Sequence, residues 1–113
     1  MINTDSHMLE RILENLMSNV RKYADGSFGV SLKNAEDHVT LKVFNGLSEG
    51  LSVDTERVFE PFYRMDARTS EGSGLGLYVV KLLCERLGWK VSAEITEQNI
   101  FSLEIIIKTQ TRQ

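Results

Sequence analysis

Three clusters in this sequence combine residue types and spacings suited to handling a phosphorylated ligand. In the first, Asn15, Asn19 and Lys22 stand four and three residues apart, so on a helix they project from one side, at the border of an apolar stripe. An Asn carbonyl oxygen is a hard, neutral ligand suited to Mg²⁺, an ion that keeps most of its waters and its nucleotide phosphates. A lysine one turn on adds a point charge for phosphate. Solvent exposure alone also places Asn and Lys on helix edges, so this cluster leaves both readings open. In the second, Gly72-Ser73-Gly74-Leu75-Gly76-Leu77 stands immediately before an apolar helical pattern. Glycines let backbone N–H groups approach an anion, and a helix N-terminus adds its positive dipole end. The glycine spacing is not the dinucleotide fingerprint, and no Gly-Lys-Ser/Thr ends the run as in a P-loop. A flexible connection is the plain alternative. The third cluster is aromatic, Phe59-Glu60-Pro61-Phe62-Tyr63-Arg64. Phe59 and Phe62 are expected to cover core while Pro61 ends a helical turn, and Arg64 and Arg68 stand where they can reach phosphate from the base of a lid.

These clusters need elements to position them. Leu9, Ile12, Leu13, Leu16, Met17, Val20, Tyr23 and Ala24 follow the i, i+3, i+4, i+7 rule and predict an amphipathic helix ending at Asp25-Gly26. Residues 1–8 read as a polar lead-in, with Asp5-Ser6-His7-Met8 resembling a vector-derived remnant, which leaves residues 9–113 as the working domain. Phe28, Val30 and Leu32 alternate with small or polar residues, as do Val39, Leu41 and Val43, and the polar stretch 33–37 between them is a turn signal. This is an antiparallel hairpin. Residues 46–50 read as a loop, 54–59 as a short helix, and 65–76 as a mobile loop rich in charge and glycine. Leu75, Tyr78, Val79, Leu82, Leu83 and Leu87 restore the helical period, with Gly88 at the left-handed cap position. Strands over 90–95 and 101–108 close the chain, joined by the polar turn 96–99. The order predicts an α+β two-layer sandwich: a mixed, mostly antiparallel sheet with helices on one face.

Composition bounds the function. At 113 residues, with 42% hydrophobic and 26% charged positions, the sequence suits one domain with one core. No apolar run approaches the roughly 20 residues that span a bilayer. The net charge is −3 and the basic residues are scattered, so no face suits a nucleic acid. Cys84, the only cysteine, falls in the apolar helical pattern and reads as a buried free thiol in a reducing compartment. A core that uses most of the chain leaves a multi-part reaction dependent on partners.

The three clusters, in this order and spacing, resemble the catalytic ATP-binding domain of bacterial sensor histidine kinases, the Bergerat-type fold shared with gyrase-like ATPases. Residues 12–23 look like the family's N box, 59–64 like its F box and 72–77 like its second glycine box. The resemblance implies that Asn19 coordinates Mg²⁺ on the ATP phosphates with Asn15 nearby, that Lys22 contacts phosphate, and that Tyr23 packs near the nucleotide. It implies that Gly72, Gly74, Leu75 and Gly76 line the phosphates, with Arg68 near the lid. In hydrolysing relatives a glutamate four residues before the Mg²⁺ asparagine activates water. Here that position is Asn15, which is no base, while Glu14 is turned about 100° away. Transfer to another acceptor is therefore favoured over hydrolysis.

The first glycine box departs from the family pattern, Asp-x-Gly-x-Gly. Extending the alternation of Val39, Leu41 and Val43 puts Asn45 at the adenine-reading carboxylate, and Leu47 and Glu49 fall at the two glycine positions, with Gly46 and Gly50 one residue away. Asn keeps a carbonyl acceptor, weaker than a carboxylate. The family's acceptor histidine lies in a His-Glu/Asp-x-x-Thr/Asn-Pro stretch that neither His7 nor His38 matches. The resemblance thus implies partners outside this chain, namely a helical dimerisation and phosphoacceptor domain of the same parent protein and a downstream response regulator. It implies a cytoplasmic domain of a parent anchored in the cell membrane. The competing readings are a nucleotide-sensing module without phosphotransfer, and an anti-sigma-factor-type serine kinase of the same fold, against which the Phe-Glu-Pro-Phe-Tyr-Arg cluster argues.

Overall fold

The computed structural model describes residues 4–48, 51–63 and 75–108. Its elements run α1 (Thr4–Tyr23), β1 (Ala24–Asn34), β2 (His38–Leu47), α2 (Gly76–Leu87), β3 (Lys90–Ile95) and β4 (Ile100–Lys108). The strands form one sheet in the order β1-β2-β4-β3, and each of the three pairings is antiparallel.

Register explains which face the helices cover. Leu41, Val43 and Asn45 of β2 stand opposite Ile105, Leu103 and Phe101 of β4, and these in turn oppose Val91, Ala93 and Ile95 of β3. With a side-chain period of two, all of these point to one face. Onto it pack Ile12, Leu16 and Val20 of α1 and Leu77, Val80 and Cys84 of α2, all part of one buried core. Each fully buried large aliphatic or aromatic side chain there contributes about 1.5–3 kcal/mol. The result is the two-layer α+β sandwich, with both helices on the same side. Their cover stops short of the edge: Phe28, Val30 and Leu32 of β1 oppose Asn45, Val43 and Leu41, yet remain more than half exposed. On the other face, the Phe44 ring lies across Gly29, 2.4 Å from where a Cβ would stand. Only glycine leaves room for that ring without a shift.

The structure shifts several boundaries. Residues 4–8, read above as part of a lead-in, belong to α1, because the helical ladder propagates backward from the anchored stripe at low cost once nucleated. β2 runs through Gly46 and Leu47, where a loop was expected, since Leu47 is itself buried in the core. Residues 54–63 form successive tight turns in place of a short helix, through Arg57 N–H to Asp54, Glu60 N–H to Arg57 and Tyr63 N–H to Glu60 carbonyls. The Asp54 carboxylate accepts from Glu56 N–H, an Asx turn that competes with helix. Phe62, expected to cover core, is 68% exposed and adopts φ 69°, which swings its ring to solvent. The predicted loop at 65–76 lies, but for Leu75 and Gly76, outside the described residues. α2 ends as predicted on Gly88, at φ 78° in the left-handed region, its N–H donating to the last-turn carbonyls.

Candidate functional site

The buried stripe of α1 fixes the orientation of its polar edge. Ile12, Leu16 and Val20 are 5% exposed or less, so Asn15 and Asn19, each one residue from a buried position, sit half-buried at the stripe's border while Lys22 is exposed. The Asn15 amide N–H donates to the Arg11 carbonyl at 3.0 Å. This bond turns its carbonyl oxygen outward, and that oxygen lies 3.4 Å from where a Cβ on Gly76 would stand. Gly76 is the first residue of α2. Two segments 61 residues apart in sequence thus meet: the amide edge of α1 and the start of α2.

The start of α2 is suited to an anion. Its cap residue, Leu75, supplies no side-chain hydrogen bond to the first turn, and the first turn holds no acidic residue. The opening N–H groups of a helix have no intrahelical partner, and there the dipole favours negative charge. Arg21 and Lys22 add positive charge at the other helix end, in the last turn of α1.

A second group gathers where β2 ends. Asn45 is 3% exposed on the helix-covered face, and its amide N–H donates to the Gly46 carbonyl at 2.9 Å. Ser48 ties this end of the sheet to the end of α1: its N–H donates to the Tyr23 carbonyl at 2.9 Å and its hydroxyl to the Ala24 carbonyl at 3.0 Å. Tyr23, half-buried, packs against the core. Ser48 and Asp25 escaped the sequence reading. Asp25 lies against Gly46 so closely that a Cβ there would meet its carboxylate at 2.4 Å. The Ser27 hydroxyl and Ser27 N–H both donate to that carboxylate, at 2.7 and 2.9 Å, and together hold its pKa below the usual range. Asp25-Gly26 read only as a helix stop, although an Asp at a turn commonly accepts from the backbone two residues on.

The aromatic cluster anchors on α2. Lys81 lies over the Phe59 ring, 5.7 Å from its centroid, and the Tyr63 hydroxyl accepts from Asp54 N–H at 2.7 Å. Phe59 and Tyr63 thereby fix the end of the described loop beside the second helix. Arg64, Arg68, Gly72 and Gly74 lie outside the described residues. Cys84 is fully buried, and burial pushes its thiol up to about 11, which leaves it a packing residue. His38 shares a 2.8 Å contact with Asp37, a neighbour that lies outside the clusters above.

The chemistry of the donor set bears on a metal. Among the described residues no cluster of three or more His, Cys, Asp or Glu exists, so a cation held entirely by protein finds no cage. Neutral amide oxygens beside an anion-binding helix start fit a cation that arrives with phosphates, as Mg²⁺ does.

The sequence profile described as "Histidine kinase-, DNA gyrase B-, and HSP90-like ATPase" matches residues 4–110. The chain belongs to this family. Among ATPases of this family, it is 35% identical over 95 residues to the probable sensor protein PcoS of Escherichia coli, covering 80% of this chain and 20% of that protein. It is 33% identical over 111 residues to sensor histidine kinase YcbM of Bacillus subtilis, covering 91% of this chain and 35% of that protein. The chain therefore spans about a fifth to a third of the length of these relatives. In structure it resembles the mycobacterial sensor histidine kinase MprB, with TM-score 0.75, 24% identity, and coverage of 91% of this chain and 73% of that one. That likeness establishes the shared fold. As an ATPase-family domain the chain binds ATP, and no helix among the described residues is long and apolar enough to cross a membrane.

Proposed function

We propose that this chain is the catalytic domain of a sensor histidine kinase, which binds Mg·ATP and passes the γ-phosphate to a histidine on a helical dimerisation domain elsewhere in its parent protein. The observation that carries this reading is the approach of the Asn15 oxygen to Gly76, because it joins the amide edge of α1 to the start of α2. In this reading Asn19 supplies an amide oxygen to Mg²⁺, Asn15 orders its water shell, and Lys22 neutralises phosphate. The start of α2 at Gly76 would receive phosphate oxygens, with Gly72, Gly74 and Leu75 beside it in sequence, and Arg68 would add charge. Tyr23 and Asn45 hold the base. Bound Mg²⁺ would supply charge neutralisation at the phosphates. The protein's own task is positioning and electrostatics, since the acceptor imidazole is the nucleophile. Asn15 cannot take a proton from water, which keeps the bound nucleotide for transfer.

The parent would carry the phosphoacceptor helices and sit at the cell membrane with this domain in the cytoplasm, signalling to a response regulator. The length of the relatives, three to five times that of the segment matched here, supports a multi-domain parent. Incubating labelled ATP with this chain and the parent's helical domain should give acid-labile, base-stable phosphohistidine, and Asn19→Ala should abolish it. Transfer unimpaired in that variant would overturn the assignment of Asn19.

A further inference from the structure

We infer that the corner of the sheet where β2 and β3 begin and β4 ends is a second anion site, which takes a small molecule bearing a dianionic phosphate or sulfate group. Its residues are scattered in sequence, and the strand register gathers them. His38 opens β2 opposite Lys108 of β4, and Lys90 opens β3 opposite Ile106, two residues before Lys108. Their parity is opposite to that of the core residues Leu41, Ile105 and Val91, so all four project to the sheet face turned away from both helices. There they line one pocket of about 370 Å³, completed by Asp37 and Gly88.

Like charges set opposite each other on paired strands destabilise the pairing. A protonated His38 facing Lys108 is such a pair, and Lys90 stands diagonal to Lys108. Among the described residues neither of these exposed lysines has an ion-pair partner, whereas Lys81 on α2 is paired with Glu85 at 3.8 Å. The carboxylate in the pocket is already engaged, because Asp37 shares a 2.8 Å hydrogen bond with His38 Nδ1. That bond first, and the Lys108 charge in smaller part, hold the Asp37 carboxyl below its usual range. An ionised carboxylate only accepts, so Nδ1 carries the hydrogen and Nε2 is the ring's remaining nitrogen.

The negative end of the α2 dipole also lies at this corner, yet its carbonyls are covered. Gly88 N–H donates to those of Cys84 and Glu85, and Trp89 N–H to that of Cys84. Uncompensated charge at the pocket is therefore positive, with Ile106 as an apolar wall. Each ammonium is a point charge with three donors, which suits a tetrahedral oxyanion approached from several sides better than a planar group that needs a fork. The corner is separate from the proposed nucleotide site, since the 12 residues of α2 put about 18 Å between Gly76 and its far end.

Titration of the isotope-labelled, unmodified chain with inorganic phosphate, sulfate or glycerol phosphate, followed by backbone amide NMR with sodium chloride at matched ionic strength as control, tests the site. Each anion should give saturating shifts at residues 37–38, 88–90 and 106–108, with a dissociation constant on the order of 10 mM. Lys90→Ala and Lys108→Ala should each weaken binding about two- to fivefold, and the double variant should lose saturation while its spectrum remains that of the folded chain. Lys33→Ala, which removes a charge outside the pocket, should change the affinity less than either. Shifts that never saturate, that chloride reproduces, that gather only along α1 and the start of α2, or that survive in the double variant would overturn the site.

Discussion

At the phosphate end of the proposed site, Asn15, Asn19 and Lys22 project from a helix whose opposite stripe is sealed in the core, and Asn15 lies against the start of α2, which no side chain caps. At the base end, the buried amide of Asn45 and the buried Leu47 stand where the resemblance implies a carboxylate and a glycine. The first region keeps its polar side chains at the border of a helix anchored in the core. The second has exchanged loop freedom for packing, and its amide donates to a backbone carbonyl beside a capped turn. One nucleotide thus meets two design logics: charge and dipole at one end, shape and a buried neutral amide at the other.

The sharpest way to break this contrast is to treat the two ends alike. Asn19→Ala should cut phosphotransfer by about two orders of magnitude or more, as removing a preorganised electrostatic group does, with the melting temperature nearly unchanged. A kinetic assay with the helical acceptor domain reads the first outcome and a thermal melt the second. Leu47→Gly, which places at the base end the residue that the resemblance implies, should do the reverse. It empties a buried position and destabilises the fold by about 3–5 kcal/mol, measurable by urea denaturation. If Leu47→Gly left stability intact, the claim that packing reshaped this end would fail. Gly29→Ala should shift the half-buried Phe44 ring aside at a cost of about 0.5 kcal/mol or less, as for most surface substitutions, and calorimetric melting checks it.

Smaller effects follow from the shifted carboxylate and thiol. The Asp25 carboxyl is held low by Ser27, so its stabilisation is present above about pH 4, the ordinary carboxylate range, and is lost as pH falls through the lowered value. Ser27→Ala should flatten that acid limb slightly in melts between about pH 6 and 3, within the range spanning that ordinary value. With the Cys84 pKa near 11, only about one thiol in a thousand is ionised at about pH 8. Labelling by a thiol reagent should therefore be slow in the folded chain and fast in urea.

Much of this contrast was legible in the residues. The helical period gave α1 and α2, and alternation gave the four strands, because each buried face is continuous from element to element. The Gly88 cap, the buried thiol and the polar edge of α1 followed from the same periodicity. What escaped detection depends on contacts between distant segments. Leu47 extends β2 because the core recruits it, Phe62 turns outward because its backbone enters the left-handed region, and Asp54 trades helix for turns through its own side chain. The Asp25–Gly46 contact joins residues 21 positions apart, and no local pattern announces it.

The central claim is that the amide edge of α1 and the start of α2 form one Mg²⁺-dependent phosphate site. Calorimetric titration of the unmodified chain and of Asn19→Ala with ATP, each with Mg²⁺ and with excess chelator, tests it most directly. The account predicts binding to the unmodified chain that weakens at least tenfold on chelation, and a variant whose weaker binding no longer responds to the metal. ATP affinity that is the same in all four titrations would contradict it.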